Sequence, residues 1–313
     1  FSQKGRIGGE CLEFSIRTMD SSELDYDLPE ERIARFPCRR RDACKLLAYS
    51  RKTGEIAHAK FADLPDILEK PHNFFRNSAA VLKARIFARK PTGGEVECLL
   101  LSPLGGDKWL CMLKPGRRLP VGSRFGIDGV FSAEVLSKDP EGNAAVRFDT
   151  FGNEGVLEMS ERIGVVPLPP YIARDQKSPG YDREFDNEYY QTVYADPAKR
   201  VAAAALHFTP ELDEKLRARG HAFHSLTLHV GLGTFRPMKT EKVEDFQIHS
   251  EIYEIPVETL SAMGDDSRPK LAVGTTSLRA MEDYWRKNGA PPRNCARPIA
   301  DSAKIFVYPP QRI

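Results

Sequence analysis

From Val81 to about Thr150 apolar side chains recur at alternate positions in short runs, Val81–Phe87, Val96–Leu101, Trp109–Leu113, Arg124–Ile127, Phe131–Val135 and Ala144–Phe148. The turns between them are Pro91-Thr92-Gly93-Gly94, Gly105-Gly106-Asp107, Pro115-Gly116 and Pro140-Glu141-Gly142-Asn143. Six short strands at such close spacing predict a small antiparallel barrel or sandwich. Before this stretch the pattern is different. Pro29 to Phe36 reads as a short charged helix closed by Pro37, and Leu46–Tyr49 with Ile56–Phe61 flank Arg51-Lys52-Thr53-Gly54, a turn that suits a hairpin.

After Glu154 the period changes again. Pro167-Leu168-Pro169-Pro170 must be extended, because prolines do not join a helix interior. Strands and helices then alternate. Thr209 caps a helix over Pro210–Arg219, with proline in its first turn and Gly220 at its end. Strands are predicted at Phe223–Val230, Lys270–Val273 and Ile305–Tyr308, and a helix follows Gly274-Thr275-Thr276-Ser277 as far as Asn288. The fold class is mixed α/β: one main domain from residues 20–80 and 155–313, carrying an inserted antiparallel β-barrel over 81–154. Residues 1–19 have mixed charge and no apolar signal core, and read as a disordered leader.

Composition narrows the class only a little. The chain has 313 residues, enough to bury a real core or to divide into two domains. Its 46 basic residues nearly balance 44 acidic ones, so net charge does not announce a nucleic-acid partner, although local clusters can still serve one. No run reaches the roughly 18 apolar residues of a membrane span. The six cysteines form no CxxC pair and have no histidine at zinc-ligand spacing, so they read as reduced thiols of a cytoplasmic protein, with no metal expected.

Candidate chemistry concentrates in three polar segments beside apolar strands: Leu206-His207-Phe208-Thr209, Thr227 to Pro237, and His249-Ser250-Glu251. Alternation puts Thr227 and His229 on one face of their strand, so a histidine arrives where glycines begin. Gly231 and Gly233 allow close approach of a ligand, and Thr234 and Arg236 follow, the arginine a planar fork for a carboxylate or phosphate. A plain glycine loop with a hydrogen-bonded histidine and a surface arginine fits the same residues. Histidines poised near neutral pH make His207 and His229 candidates for proton transfer, with Glu251 as an orienting carboxylate. Gly274-Thr275-Thr276 suits either an anion at a helix N-terminus or ordinary capping, and lacks the lysine of a P-loop. Arg39-Arg40-Arg41 and Lys114-Pro115-Gly116-Arg117-Arg118 are basic clusters on turns, either solvated surface or phosphate contacts.

Taken together, these segments resemble the S-adenosylmethionine:tRNA ribosyltransferase-isomerase (QueA) family of queuosine biosynthesis. The likeness runs through Leu24-Asp25-Tyr26-Asp27-Leu28-Pro29, Arg41-Asp42, Pro91 to Glu97, Lys114 to Arg117 and Pro167 to Ile172. It continues in Tyr190 to Ala195, Leu206 to Thr209, His229 to Pro237, His249 to Glu251, Val273 to Thr276 and Phe306 to Pro309. The resemblance implies transfer and isomerisation of the ribosyl moiety of S-adenosylmethionine onto 7-aminomethyl-7-deazaguanine (preQ1) in tRNA. Adenine and methionine would leave, and epoxyqueuosine-tRNA would form. S-adenosylmethionine is then a consumed substrate and no cofactor is expected; the enzyme is expected to be a cytoplasmic monomer.

The implied site has His207, His229 and Glu251 as catalytic residues, the histidines in proton transfer and the glutamate either orienting a histidine or meeting the sulfonium. Thr209, Gly231, Gly233, Thr234, Arg236, His249, Thr275 and Thr276 bind substrate, and Arg39, Arg40, Arg117 and Arg118 bind tRNA. Three departures support a second reading, a catalytically inactive relative acting as a tRNA-binding or assembly protein. Val201 to Ala205 lacks the family's Pro-Thr pair, Asn77-Ser78-Ala79-Ala80 stands where the family has Asn-Asp-Thr-Arg, and the family pattern continues beyond Ile313. Methyl transfer from the same donor is disfavoured, since no glycine-rich Rossmann start follows an early strand.

Overall fold

The computed structural model describes residues 18–152, 154–169, 172, 174, 181–194, 196–200, 206–230, 238 and 240–309. The chain opens with β1 (Lys45–Tyr49) and β2 (Ile56–Lys60), an antiparallel hairpin that forms a sheet of its own. The helix expected over Pro29–Phe36 is only a 3-10 turn, Glu30–Arg32. Its residues are nearly all exposed, and so short a segment without an apolar face to bury does not sustain an α-helix.

Next come a single helical turn, α1 (Leu64–Ile67), and two strands, β3 (Asn73–Asn77) and β4 (Ala79–Ala80). The chain then enters the barrel. β5 (Arg85–Arg89), β6 (Glu95–Gly105), β7 (Lys108–Lys114), β8 (Arg124–Ile127), β9 (Phe131–Lys138) and β10 (Asn143–Thr150) close in the order β10-β7-β6-β5-β8-β9, each pair antiparallel. Period-two alternation produces this directly: Val96, Cys98 and Leu100 of β6 and Trp109, Cys111 and Leu113 of β7 point inward, while Glu95, Glu97, Lys108 and Lys114 alternate outward with the half-buried Leu99, Leu110 and Met112. At Gly126 the wall leaves no room for a side chain, because a Cβ there would collide with the carbonyl oxygen of Phe131. Val156 and Met159 of α2 (Val156–Ile163) complete the barrel core.

After the barrel come α3 (Arg183–Tyr189), β11 (Asp196–Arg200), which pairs parallel with β4, and α4 (Pro210–Ala218). They are followed by β12 (Ala222–Leu228), β13 (Glu251–Ile255), α5 (Val257–Met263), β14 (Lys270–Val273), α6 (Gly274–Asn288) and β15 (Ile299–Ala303). The main sheet has the order β14-β3-β12-β13-β15, so it draws strands from both sides of the barrel segment. β14, β3 and β12 are parallel, and β13 runs against both its neighbours. α5 and α6 cover one face, around Phe75, Leu226, Leu228 and Tyr253; α4 covers the other, around Phe74, Phe208, Leu212 and Leu216.

One strand stands where the sequence predicts none, and one expectation needs correction. Asn73–Asn77, an interior strand of the sheet, carries no strand signal because Arg76 and two asparagines interrupt the apolar pattern, yet all five residues are buried. The strand expected at Ile305–Tyr308 lies earlier, at Ile299–Ala303. Ile305 to Tyr308 are apolar for packing, with the Phe306 ring against Phe246 (5.1 Å) and Tyr308 (5.5 Å).

Candidate active site

β14, β3 and β12 end at the same edge of the sheet, at Val273, Asn77 and Leu228. Open α/β sheets take ligands outside the carboxyl ends of such strands, and several of the sequence candidates lie at this edge. His229 follows β12 directly, and its backbone N–H donates to the Ile252 carbonyl (2.8 Å), carrying the pairing with β13 one residue further. Alternation sets it on the face of Phe223 and Thr227, the face covered by α4. Asn77 fixes its predecessor. The amide Nδ2 donates to the Leu228 carbonyl (3.1 Å), while Oδ1 accepts from the N–H of Leu228 (3.1 Å) and of Ala79 (3.2 Å). Of the departing Asn77–Ala80 stretch, then, the retained asparagine holds the strand end that presents His229.

β13 begins at this same edge with Glu251, which is buried and ion-paired with Arg279 of α6. The guanidinium also donates to the carbonyls of Ile305 (3.2 Å), His249 (2.9 Å) and Ala303 (3.1 Å). The Glu251 carboxylate meets Arg279, and the arginine anchors the chain at His249 and Glu251. Sequence reasoning missed Arg279, since an arginine on a helix reads as solvated surface.

α6 starts at Gly274, whose φ of +82° favours glycine, so Thr275 and Thr276 lie inside the first helical turn. Val273 offers no side-chain cap, and the hydroxyls of Thr276 and Ser277 are buried with no partner among the described residues. Uncapped N–H groups and spare hydroxyls are what this corner presents to a polar substrate group.

On the α4 side, the Thr209 hydroxyl accepts from the Leu212 N–H (3.2 Å). It is the helix cap, and that bond competes with the substrate role expected of it. Two residues earlier, His207 meets the base of the β1–β2 hairpin. Its Nδ1 is 3.2 Å from Cys44 Sγ, and its ring packs on Phe61 at 5.3 Å. Arg41 holds the turn by donating to the carbonyls of Leu206 (3.3 Å), Gln191 (2.5 Å) and Glu188 (2.5 Å). Although the residue has an exposed side, burial of the ring against these neighbours lowers the His207 pKa, and the Arg41 charge adds to the effect. Burial chiefly, with Cys38 contributing, raises the Cys44 thiol pKa.

A protonated thiol facing a neutral imidazole makes S–H the donor and Nδ1 the acceptor, which leaves the ring proton on Nε2. Wild-type protein is expected to show the Nε2–H tautomer of His207 in 15N spectra, and Cys44→Ala a mixture of tautomers. A wild type carrying the proton on Nδ1 would reverse the donor assignment.

The basic candidates are less uniform. Arg40 forks onto the buried Asp42 (2.7 and 3.1 Å), whereas Arg39 is exposed and its carbonyl accepts from the Tyr189 hydroxyl (3.0 Å). Arg117 and Arg118 are exposed on a 3-10 turn after β7. Gly231, Gly233, Thr234 and Arg236 lie outside the described residues. A cleft of about 1250 Å³ opens on the barrel beside Tyr181 and Arg183, but none of the sequence candidates lines it. His229, Glu251 and the hydroxyls of Thr276 and Ser277, unpartnered among the described residues, lie at the sheet edge instead. Among the described residues no group of three His, Cys, Asp or Glu side chains is placed to hold a metal ion, and no helix is long and apolar enough to cross a membrane.

A family model described as "Queuosine biosynthesis protein" matches residues 21–313. The S-adenosylmethionine:tRNA ribosyltransferase-isomerase of Acetivibrio thermocellus is 40% identical over 299 residues, covering 93% of this chain and 83% of that protein. The protein of the same name from Desulfitobacterium hafniense is 40% identical over 280 residues, covering 87% and 79%. The solved S-adenosylmethionine tRNA ribosyltransferase of Thermotoga maritima is 27% identical, with a TM-score of 0.43 over 93% of this chain and 81% of that one.

Proposed function

The chain belongs to the queuosine biosynthesis protein family, and we propose that it moves the ribosyl group of S-adenosylmethionine onto preQ1 at the wobble position of tRNA. It is an S-adenosylmethionine:tRNA ribosyltransferase-isomerase, as its relatives are named. The observation that carries the reading is 40% identity sustained over 299 residues of a relative of that name.

The sulfonium of S-adenosylmethionine acidifies the adjacent C5′ hydrogens, so a modest base suffices to form an ylide, and the purine needs a partner as it departs. His207, with Nδ1 occupied by Cys44, offers an N–H to the leaving purine. His229, at the end of β12, is left the role of base. The buried hydroxyls of Thr276 and Ser277 and the first turn of α6 suit the polar end of the donor. S-adenosylmethionine is consumed, no further cofactor takes part, and the enzyme works as a cytoplasmic monomer.

The test is adenine release from S-adenosylmethionine with and without preQ1-tRNA. Adenine and methionine appearing only with the modified tRNA are expected. S-adenosylhomocysteine as product, or no release despite tRNA binding, would overturn the reading.

A further inference from the structure

The β1–β2 hairpin stands apart from both the barrel and the main sheet. Its register sets Lys45 opposite Lys60, Leu47 opposite His58 and Tyr49 opposite Ile56. All six alternate onto one face and all six are exposed, with Leu47 at 58%, Tyr49 at 59% and Ile56 at 60%. This is a costly face to leave open. A two-stranded hairpin is marginal in water, large apolar side chains gain nothing there, and like charges directly opposite each other repel. The tip adds Arg51 and Lys52, both exposed. The one acid from Lys45 to Lys60 is Glu55, whose carboxylate accepts from the Thr53 hydroxyl (2.9 Å); Asp63, just beyond, accepts from the Lys60 backbone N–H (2.9 Å).

The hairpin's base lies at the candidate site. Cys44 precedes β1 and Phe61 follows β2, and the Phe61 N–H donates to the Cys44 carbonyl (2.9 Å). These two residues are the ones in contact with His207. The open face therefore begins one residue from the histidine and extends about 17 Å from it, five residues of strand.

We propose that this face docks the RNA substrate, with Lys45, Lys60 and the tip cations at phosphates and Tyr49 and His58 against unstacked bases of the loop. The proposal rests on the reading that the chain acts on tRNA. Sequence-specific RNA recognition targets loops in this way, with backbone charge supplying affinity and ring stacking holding splayed bases. A second copy of the chain fits the face poorly. A two-fold interface would set the patch on itself and gather four lysines.

The test is tRNA binding across a salt series by wild type, by Lys45→Glu/Lys60→Glu and Lys45→Ala/Lys60→Ala doubles, and by Tyr49→Ala, with sedimentation of each free protein. The charge reversal is expected to weaken binding at least ~10-fold and to flatten the dependence of log affinity on log salt by about one to two. The alanine double should shift both in the same direction with the charge simply removed, and Tyr49→Ala should weaken binding with the slope intact. Unchanged affinity and slope in both lysine doubles would overturn the proposal. So would a wild-type dimer that Leu47→Asp splits while tRNA binding persists. A wild type that binds no tRNA at any salt would instead remove the functional reading beneath it.

Discussion

Asp213→Ala is expected to destabilise the fold by about 3–5 kcal/mol, the range for removing one partner of a buried ion pair. Arg76, next to last in β3, donates from Nη1 to both carboxylate oxygens of Asp213 in α4 (2.8 and 3.0 Å), and both side chains are almost wholly buried. The guanidinium lies 4.0 Å from the Tyr194 ring centroid and 4.1 Å from that of Phe223. The same burial pushes the Tyr194 phenol up to about 12, so it stays neutral and supplies no replacement charge. Truncating Asp213 leaves a cation in an aromatic box with no anion to meet it.

The converse expectation is what makes the experiment informative. An ion pair this deep gives up the hydration of both charges, and Arg76 Nε remains buried with no partner among the described residues. Replacing both members by apolar residues, Arg76→Met with Asp213→Leu, is therefore expected to cost far less than Asp213→Ala alone. Urea unfolding of wild type and the two variants gives the comparison. A single substitution no worse than about 1 kcal/mol would mean that water reaches Arg76. The pair also locates the site, since it ties the end of β3 to the first turn of α4, one turn from Thr209 and His207.

What the sequence made legible follows from how each element is held. The barrel strands are one-sided, buried within and wet without, so alternation marks them; Arg124–Ile127 is found to the residue. β3 is buried on both faces and keeps its polar residues by pairing them across long stretches of chain, Arg76 with Asp213 and Asn77 with Leu228. No local pattern reports such partners. β15 is an edge strand held to β13 by main-chain pairing, and of its residues only Ala303 is fully buried, so its side chains carry little signal. Helix α4, by contrast, announces itself through Thr209, Pro210 and Gly220, because capping is local chemistry.

The site divides along the same line. His207, His229 and the first turn of α6 stand at strand and helix ends, where polar residues interrupt apolar runs and are visible in one dimension. The contacts that decide what they do are not visible. Cys44 is 163 positions from His207, and Arg279 is 28 from Glu251. Arg76, amid Asn73-Phe74-Phe75, can be buried only because it is paired with Asp213, far along the chain, since an unpaired arginine there would be untenable.

The second large effect is at His207. His207→Ala is expected to lower turnover about 100-fold or more, the usual loss for a positioned acid–base or hydrogen-bonding group. His207→Gln separates those two roles. Glutamine keeps an N–H but does not titrate, so it should recover part of the lost rate if Nε2–H serves as a donor, and none if a proton must move through the ring. The direction of the pKa shift adds an independent check. Burial and Arg41 hold the imidazole below its ordinary value near 6.5, so it stays neutral throughout the neutral range. When pH falls below that lowered value, the proton enters at Nδ1, which turns an acceptor into a donor facing the Cys44 thiol and sets a charge beside Arg41. Wild-type kcat/KM is expected to drop there, and the glutamine variant to show no such limb. The fold is affected in the same sense, because an unfolded histidine takes up its proton first, so the stabilisation is present above about 6.5 and lost as pH falls through the folded value. His221 and His224 are lowered by burial as well and share that loss. Returning acid-treated enzyme to neutral pH separates titration, which reverses at once, from unfolding. Near-normal turnover in His207→Ala would remove the residue from the chemistry and leave the Cys44 contact a packing feature.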